Sequence, residues 1–347
     1  MLFTARNIFT ALRTSNLKKA ILPVILLLSG QPHFVRPATE CVAQQATANT
    51  SPLLFDQLIY DERQRQLVLV NGYRHPDRPE LGQLWGWDGK EWKLIPASGP
   101  SMRTVSAAVY DSRRKRIVLY GGLGNAGLND QRGDTWEWDG KSWQQMADAS
   151  IGTRDHHALA YDAARGKTVL FGGVASDRNS PTETWEWDGT KWTKIAAPGP
   201  GGRGGIGLVY DDERKQVILF GGVGQDAKRL GDTWAWDGKT WRQVSAEGPL
   251  ARNGAGLAFD RRAGVVILFG GTAGSQHFDD LWQWDGQRWT EIKVTGPKPG
   301  KRVGPGITYD VARGKIVLYG GMVRENGQVK ASDEMWEWSG KQWAQIK

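Results

Sequence analysis

From about residue 52 the apolar residues fall into short runs separated by turn-forming residues, and the runs recur. Six stand out: QLVLV at 66–70, RIVLY at 116–120, KTVLF at 167–171, QVILF at 216–220, VVILF at 265–269 and KIVLY at 315–319. Each is apolar at consecutive positions, so as a strand it needs cover on both faces. Ahead of each run, across a short polar turn, stands an aromatic-Asp pair: Tyr60-Asp61, Tyr110-Asp111, Tyr161-Asp162, Tyr210-Asp211, Phe259-Asp260 and Tyr309-Asp310, spaced 49 to 51 residues apart. After each run come a Gly-Gly pair (Asn71-Gly72 in the first copy), a variable segment and a motif WxWDGxxW, with Ser339 replacing Asp in the last copy. The pattern predicts four strands per repeat. Strand A ends at the aromatic-Asp pair, B is the apolar run, C carries WxW, and D begins around the third Trp.

A four-stranded sheet with two apolar faces is not stable alone. Stacking sheets around an axis covers both faces and leaves no long exposed edge. The expected fold is all-β, a six-bladed β-propeller of four-stranded antiparallel blades spanning about 52–100, 101–150, 151–200, 201–249, 250–298 and 299–347. Small residues recur where inner strands crowd the axis, at Ala107, Ala158, Gly207, Gly256 and Gly306. Asp-Gly between apolar flanks suggests a two-residue type I′ turn between C and D. That register sets Trp138 opposite Lys141 and Trp136 opposite Trp143, with three indoles of each blade on one face. Each blade is expected to use strands from one repeat only, so the ring closes by packing and not by a blade shared between the termini.

Repeats of about 50 residues with an opening Arg, an apolar strand ending in Gly-Gly, an aromatic strand and a further Trp resemble the kelch repeat. The WxWDGxxW form is similar to kelch-like propellers of exported bacterial proteins, within the galactose oxidase-like propeller superfamily. The resemblance covers nearly all of residues 52–347 and implies the fold. It leaves function open, because kelch propellers include enzymes, adaptors and carbohydrate binders. The copper-radical chemistry of galactose oxidase needs a Cys–Tyr crosslink, and the only cysteine is Cys41. No GxSxG or HExxH motif occurs, and no cofactor or metal is expected.

Composition changes this picture little. All 18 Trp lie in the six hairpin motifs, which reads as core packing and not as exposed stacking platforms for glycans. The net charge of +8 is half due to the first 43 residues, where Arg6, Arg13, Lys18, Lys19 and Arg36 stand against Glu40. The rest mixes signs, which argues against a nucleic-acid partner. Residues 1–43, basic and then apolar over 20–28 (AILPVILLL), read as a signal peptide or short membrane anchor, and 44–51 as a linker. A secreted or periplasmic monomer is the expectation, membrane-anchored if residues 1–43 act as the anchor.

Antiparallel order puts the uniform A–B and C–D turns at one end of the propeller and the variable B–C and D–A connections at the other. Function is expected on the variable face. Strand A opens there with Arg103, Arg154, Arg203, Arg252 and Arg302, able to grip an acidic ligand. Against that stand Asp134, Glu183, Asp232, Asp280 and Glu334, two residues before the first Trp of each motif. The copy lacking the Arg, at Leu53, also lacks the acid, at Gln83. The arginines are therefore either free for ligand or paired to these acids. His156 and His157, after Arg154 and Asp155, depart from the Val, Ser, Gly, Ile, Ala or Pro of other copies. With Asp155, and with Asp56 as a second nearby carboxylate, they are the catalytic candidates. His277 lies on a variable loop and joins the binding candidates, and His75 lies on the aberrant first copy. The primary expectation is a binding or scaffold module for a protein segment or extracellular glycan. The alternative is an enzyme, of sugar epimerase or lyase type, at the axial mouth.

Overall fold

The computed structural model describes residues 57–70, 84–124, 126–146, 151–325 and 328–347. The expected export segment 1–43, the linker, Leu53, Asp56, Asn71-Gly72, His75 and Gln83 lie outside the described residues. Among the described residues every regular element is a strand, apart from the three-residue 3-10 turn Gly127–Asn129. Among the described residues no helix is long and apolar enough to cross a membrane.

Each repeat forms an antiparallel sheet with strands in the order A-B-C-D, built from its own residues, and the fifth and sixth repeats add a separate small sheet. The third sheet shows the pattern, with Arg154–Asp162, Lys167–Ala175, Thr184–Trp187 and Trp192–Ile195. The B strands are covered on both faces as their sequence demands: Val118, Leu119, Val169, Leu170, Ile218 and Leu219 are all at 0% exposure. Cover comes from neighbouring sheets. Trp136, Trp138 and Trp143 of the second sheet pack with Ile59, Val68 and Val70 of the first. Trp85, Trp87 and Trp92 of the first sheet pack with Val317, Tyr319 and Met335 of the last. The three indoles of a repeat do share one face.

Their register differs from the expected one. Trp138 pairs with Trp143, and Trp136 with Gln145, and the same shift holds in the other sheets. The connection is a four-residue loop, not a two-residue type I′ turn. A type I′ turn needs positive φ at both central residues, but here only Gly140 has it, at 91°. The Asp139 carboxylate accepts the N–H groups of Lys141 and Ser142 (2.8 Å each), while Asp139 N–H reaches Ser142 O (3.2 Å). The side chain thus builds its own turn, as Asx residues do, and brings the second and third Trp rings to 5.7 Å.

The Asp of the aromatic-Asp pair works the same way on the A–B turn. Asp111 Oδ1 accepts Arg114 N–H (2.9 Å) and Asp162 Oδ1 accepts Arg165 N–H (3.0 Å). Those arginines then reach Glu137 (2.6 Å) and Glu186 (2.5 Å) of strand C. The Gly-Gly pair has a different cause. Gly221 and Gly222 have φ of 68° and 102°, and a Cβ on Gly221 would lie 2.6 Å from the carbonyl oxygen of Arg252 in the next sheet. Only glycine admits both the φ and the approach. Gly222 N–H donates to that same carbonyl (2.9 Å).

Indole N–H groups add polar ties between sheets. Trp192, Trp241 and Trp289 donate to Thr135, Thr184 and Thr233 of the preceding sheet, each at 2.8 Å. Trp187 and Trp236 donate to Glu137 (2.7 Å) and Glu186 (3.2 Å). Where the preceding repeat lacks the acceptor, the N–H stays unpaired. Trp92 and Trp343 meet repeats with Met335 and Leu281 in place of Thr, and Trp138 and Trp284 meet repeats with Gly86 and Ala235 in place of Glu. Trp87 is also unpaired, although the preceding repeat carries Glu337, whose oxygens take Arg313 and Lys315.

Two Thr→Val substitutions should therefore act in opposite directions. Thr233→Val strands the Trp289 N–H and should cost about 1–3 kcal/mol. Thr168, fully buried with an unpaired hydroxyl, should gain roughly 1 kcal/mol on the same change. Denaturant unfolding of both variants reads the two signs.

Candidate functional site

The two ends of the molecule differ. A–B turns of one sheet meet C–D turns of the next, as in Gln64 Nε2 donating to Gly140 O (2.8 Å), so this end is a uniform set of anchored turns. The B–C segments are individual. The fifth repeat makes a small hairpin, Thr272–Ala273 with Gln276–His277, and the sixth a longer one, Met322–Glu325 with Gln328–Ala331.

The inner A strands surround an axial cavity of about 360 Å³, walled by apolar residues such as Val109, Leu159, Val209 and Leu257. Its lining extends to the A–B turns at Glu62, Ser112, Asp212 and Arg261, and includes neither His156 nor His157. At the B–C end lies a collar of backbone hydrogen bonds. His156 N–H donates to Val105 O (3.0 Å), Gly205 to His156 (2.8 Å), Gly254 to Gly205 (2.9 Å) and Gly304 to Gly254 (2.7 Å). All five residues have left-handed φ, between 48° and 64°. Three copies use glycine for this conformation. Val105 and His156 carry side chains despite its cost.

The arginines resolve into two kinds. Arg103, Arg203 and Arg252 each grip an acid with both terminal nitrogens: Asp134 (2.5 and 3.0 Å), Asp232 (2.6 and 3.1 Å) and Asp280 (2.6 and 2.8 Å). Arg302 reaches Glu334 at 2.5 Å. The first Trp of the repeat donates to the same acid: Trp136, Trp234, Trp282 and Trp336 at 2.7, 2.6, 2.8 and 3.2 Å. Burial would raise the carboxyls of Asp134, Asp232 and Asp280, but the Arg and Trp hydrogen bonds outweigh it and hold all three below their ordinary value. Of the two alternatives, four of the five arginines thus take the paired one and are internal braces. Arg154 is the exception. Its Nη1 donates to Gly172 O (3.3 Å), its Nε has no acceptor, and Glu183 turns instead to Lys194 (2.9 Å).

Adjacent residues separate the two histidines. His157 is buried, with Nε2–H donating to Tyr120 O (3.1 Å) and its ring edge-on to Tyr120. Burial, with Arg154 nearby, lowers its pKa to about 3, so it is a neutral core residue and does not present an acid or base to solvent. His156 is partly exposed beside the collar, its Nδ1 in contact with Asp155 Oδ1. Asp155 is buried and accepts Gln131 Nε2 (2.7 Å), whose Oε1 accepts the Thr153 hydroxyl (2.9 Å). Gln131 belongs to this cluster although no repeat pattern flagged it. His277 sits on the small hairpin of the fifth repeat. Burial and the charges of Arg324 and Lys301 lower its pKa. Among the described residues no group of three or more His, Cys, Asp or Glu side chains could hold a metal.

Repeated four-stranded sheets joined through inner strands, with uniform turns at one end and individual loops at the other, define a β-propeller of the kelch kind. A family model described as the KLHDC2/KLHL20/DRC7 Kelch-repeats domain matches residues 156–347, more than half of the sequence, and the chain belongs to the kelch-repeat family. No curated protein matches it. Kelch domains generally mediate protein interactions, so the chain is a propeller scaffold suited to binding protein.

Removing an acid should separate the arginines. Asp280→Ala leaves buried Arg252 without its carboxylate and should cost about 3–5 kcal/mol, whereas Glu183→Ala breaks only an exposed pair and should cost at most about 1 kcal/mol. His157 gives a pH signature. Its folded pKa of about 3 lies below the unfolded value near 6.5, so the unfolded state takes up the proton first. Its stabilising contribution is complete above about pH 6.5 and should decline as pH falls toward 3. Thermal melts of His157→Gln should show a flatter profile between about pH 6.5 and 4.

Proposed function

We propose that residues 52–347 form a closed six-bladed propeller, exported as a monomer, that binds a protein segment or extracellular glycan through its B–C/D–A face. Closure is supported by the packing of Trp87 on Val317 and Tyr319 and by an axial cavity whose lining draws on all six A strands. The export reading rests on the basic and apolar pattern of residues 1–43. The choice of face rests on one contrast. Repeated Asp-anchored hydrogen bonds engage the turns of the A–B/C–D end, while the copy-specific loops and an arginine without an acid stand at the other. Variable loops on a rigid scaffold are where recognition is carried.

Photo-cross-linking side chains placed one at a time at Arg178, Lys228 and Gln276 should capture the same partner. Substitutions at Lys141, Lys239 and Gln287, on the C–D turns, should not. Capture from the second set alone would place the interface at the wrong end.

A second reading, an enzyme of sugar epimerase or lyase type at the axial mouth, draws on the Asp155–His156 contact. A buried carboxylate can orient an imidazole as a general base. It requires a sugar-directed turnover that His156→Gln abolishes while cross-linking at Arg178 is retained.

A further inference from the structure

Arg154 is 3% exposed, yet it has lost partners that its counterparts keep. In the other four copies the arginine Nε donates to the carbonyl two residues earlier: Ser101, Gly201, Leu250 and Gly300, at 2.8 to 3.1 Å. In the third copy that carbonyl, on Gly152, accepts the Tyr120 hydroxyl instead. The positions matching Tyr120 that precede the fourth, fifth and sixth copies are Phe171, Phe220 and Phe269, which have no hydroxyl to compete.

The missing carboxylate has an equally local cause. Lys194 stands opposite Trp185 across the C–D ladder and draws Glu183 aside. The same position holds Gln145, Gln243, Glu291 and Gln345 in the other Arg-bearing copies. Trp185 Nε1, which in those copies reaches the acid, is buried without an acceptor. Burial lowers the pKa of Arg154, opposed only by Coulomb interactions with Tyr120 and Glu183. A buried guanidinium N–H and an indole N–H without acceptors are costly.

We infer that the third blade carries a carboxylate socket, formed by Arg154 and Trp185, that takes a carboxylate from outside the chain. The shape of the expected ligand is given by the molecule itself. In the second, fourth and fifth copies one carboxylate oxygen takes Arg Nη1 while the other takes Nη2 and the indole N–H. That planar two-oxygen fit favours carboxylate over the tetrahedral phosphate or sulfate. The paired acids of those copies are about a fifth exposed (22%, 20% and 20%), so a carboxylate seated in the same way in the third blade would keep one side toward the B–C/D–A face. Glu183, held by Lys194, is a built-in competitor for the socket. The inference deepens the binding reading above by naming the ligand group, and the source is a free small carboxylate or an acidic side chain of a protein partner.

The test uses the full chain with 15N-labelled tryptophan, the Trp185 indole signal being assigned by its loss in Trp185→Phe. Acetate should move that signal saturably toward the positions of Trp136, Trp234 and Trp282. Lys194→Gln should release Glu183 into the socket, placing the signal there from the start and abolishing the acetate response. Adding Glu183→Gln to Lys194→Gln should restore the response. A hexaglutamate peptide that competes at lower concentration than acetate identifies a partner side chain as the source, and equal or weaker competition identifies a small carboxylate. Absence of any acetate response, an equal response to chloride or sulfate, or a response unchanged in Lys194→Gln would each overturn the socket. Cross-linking through Arg178 would survive that failure, so the proposed binding face is judged separately.

Discussion

Strand B of every repeat is apolar on both faces, and no single four-stranded sheet can cover it. The rest of the architecture follows from that constraint. Each sheet lends its three indoles to one neighbour and takes cover from the other, so a repeat is complete only in company. Apolar packing supplies the attraction and the polar groups at its margin fix the geometry. Indole N–H groups meet Thr and Glu of the preceding sheet. The N–H groups of Gly222 and Gly271, each the second glycine of its pair, meet the carbonyl of the next arginine.

The same economy governs the charges. A ring of arginines around an axis looks like a binding surface, but a guanidinium buried to a few percent exposure needs acceptors close by, and four of the five have them in their own sheets. They hold strand A to the start of strand C and orient the first tryptophan of the repeat. Copies that repeat faithfully therefore serve the fold. Departures are where chemistry becomes available, and they gather in the third copy: Asp155 with His156, His157 in the core, and Arg154 without its acid.

Much of the fold was legible in the chain itself. The aromatic-Asp pairs, the doubly apolar B runs and the Gly-Gly pairs recur at regular spacing along the chain, so strand order and the placement of turns could be read directly. The C–D register could not. Asp-Gly suggests a two-residue turn, but the carboxylate of Asp139 competes for two backbone N–H groups and wins a longer loop. Nor could the chain say which end the axial cavity reaches, because its floor is a collar of hydrogen bonds between residues some fifty apart.

The sequence by itself determined the repeat, the pairing of arginines with acids as one of two open readings, and the third copy as the place where the pattern breaks. Only the tertiary structure decided that Arg154 differs from its counterparts. Its partners are set by Tyr120 in the preceding repeat and Lys194 in its own, neither of which adjoins it in sequence. Likewise, two adjacent histidines acquire opposite characters because one turns into the core and the other toward the collar. A hydrogen-bond acceptor is lost or kept through contacts between sheets, and those exist only once the repeats have stacked.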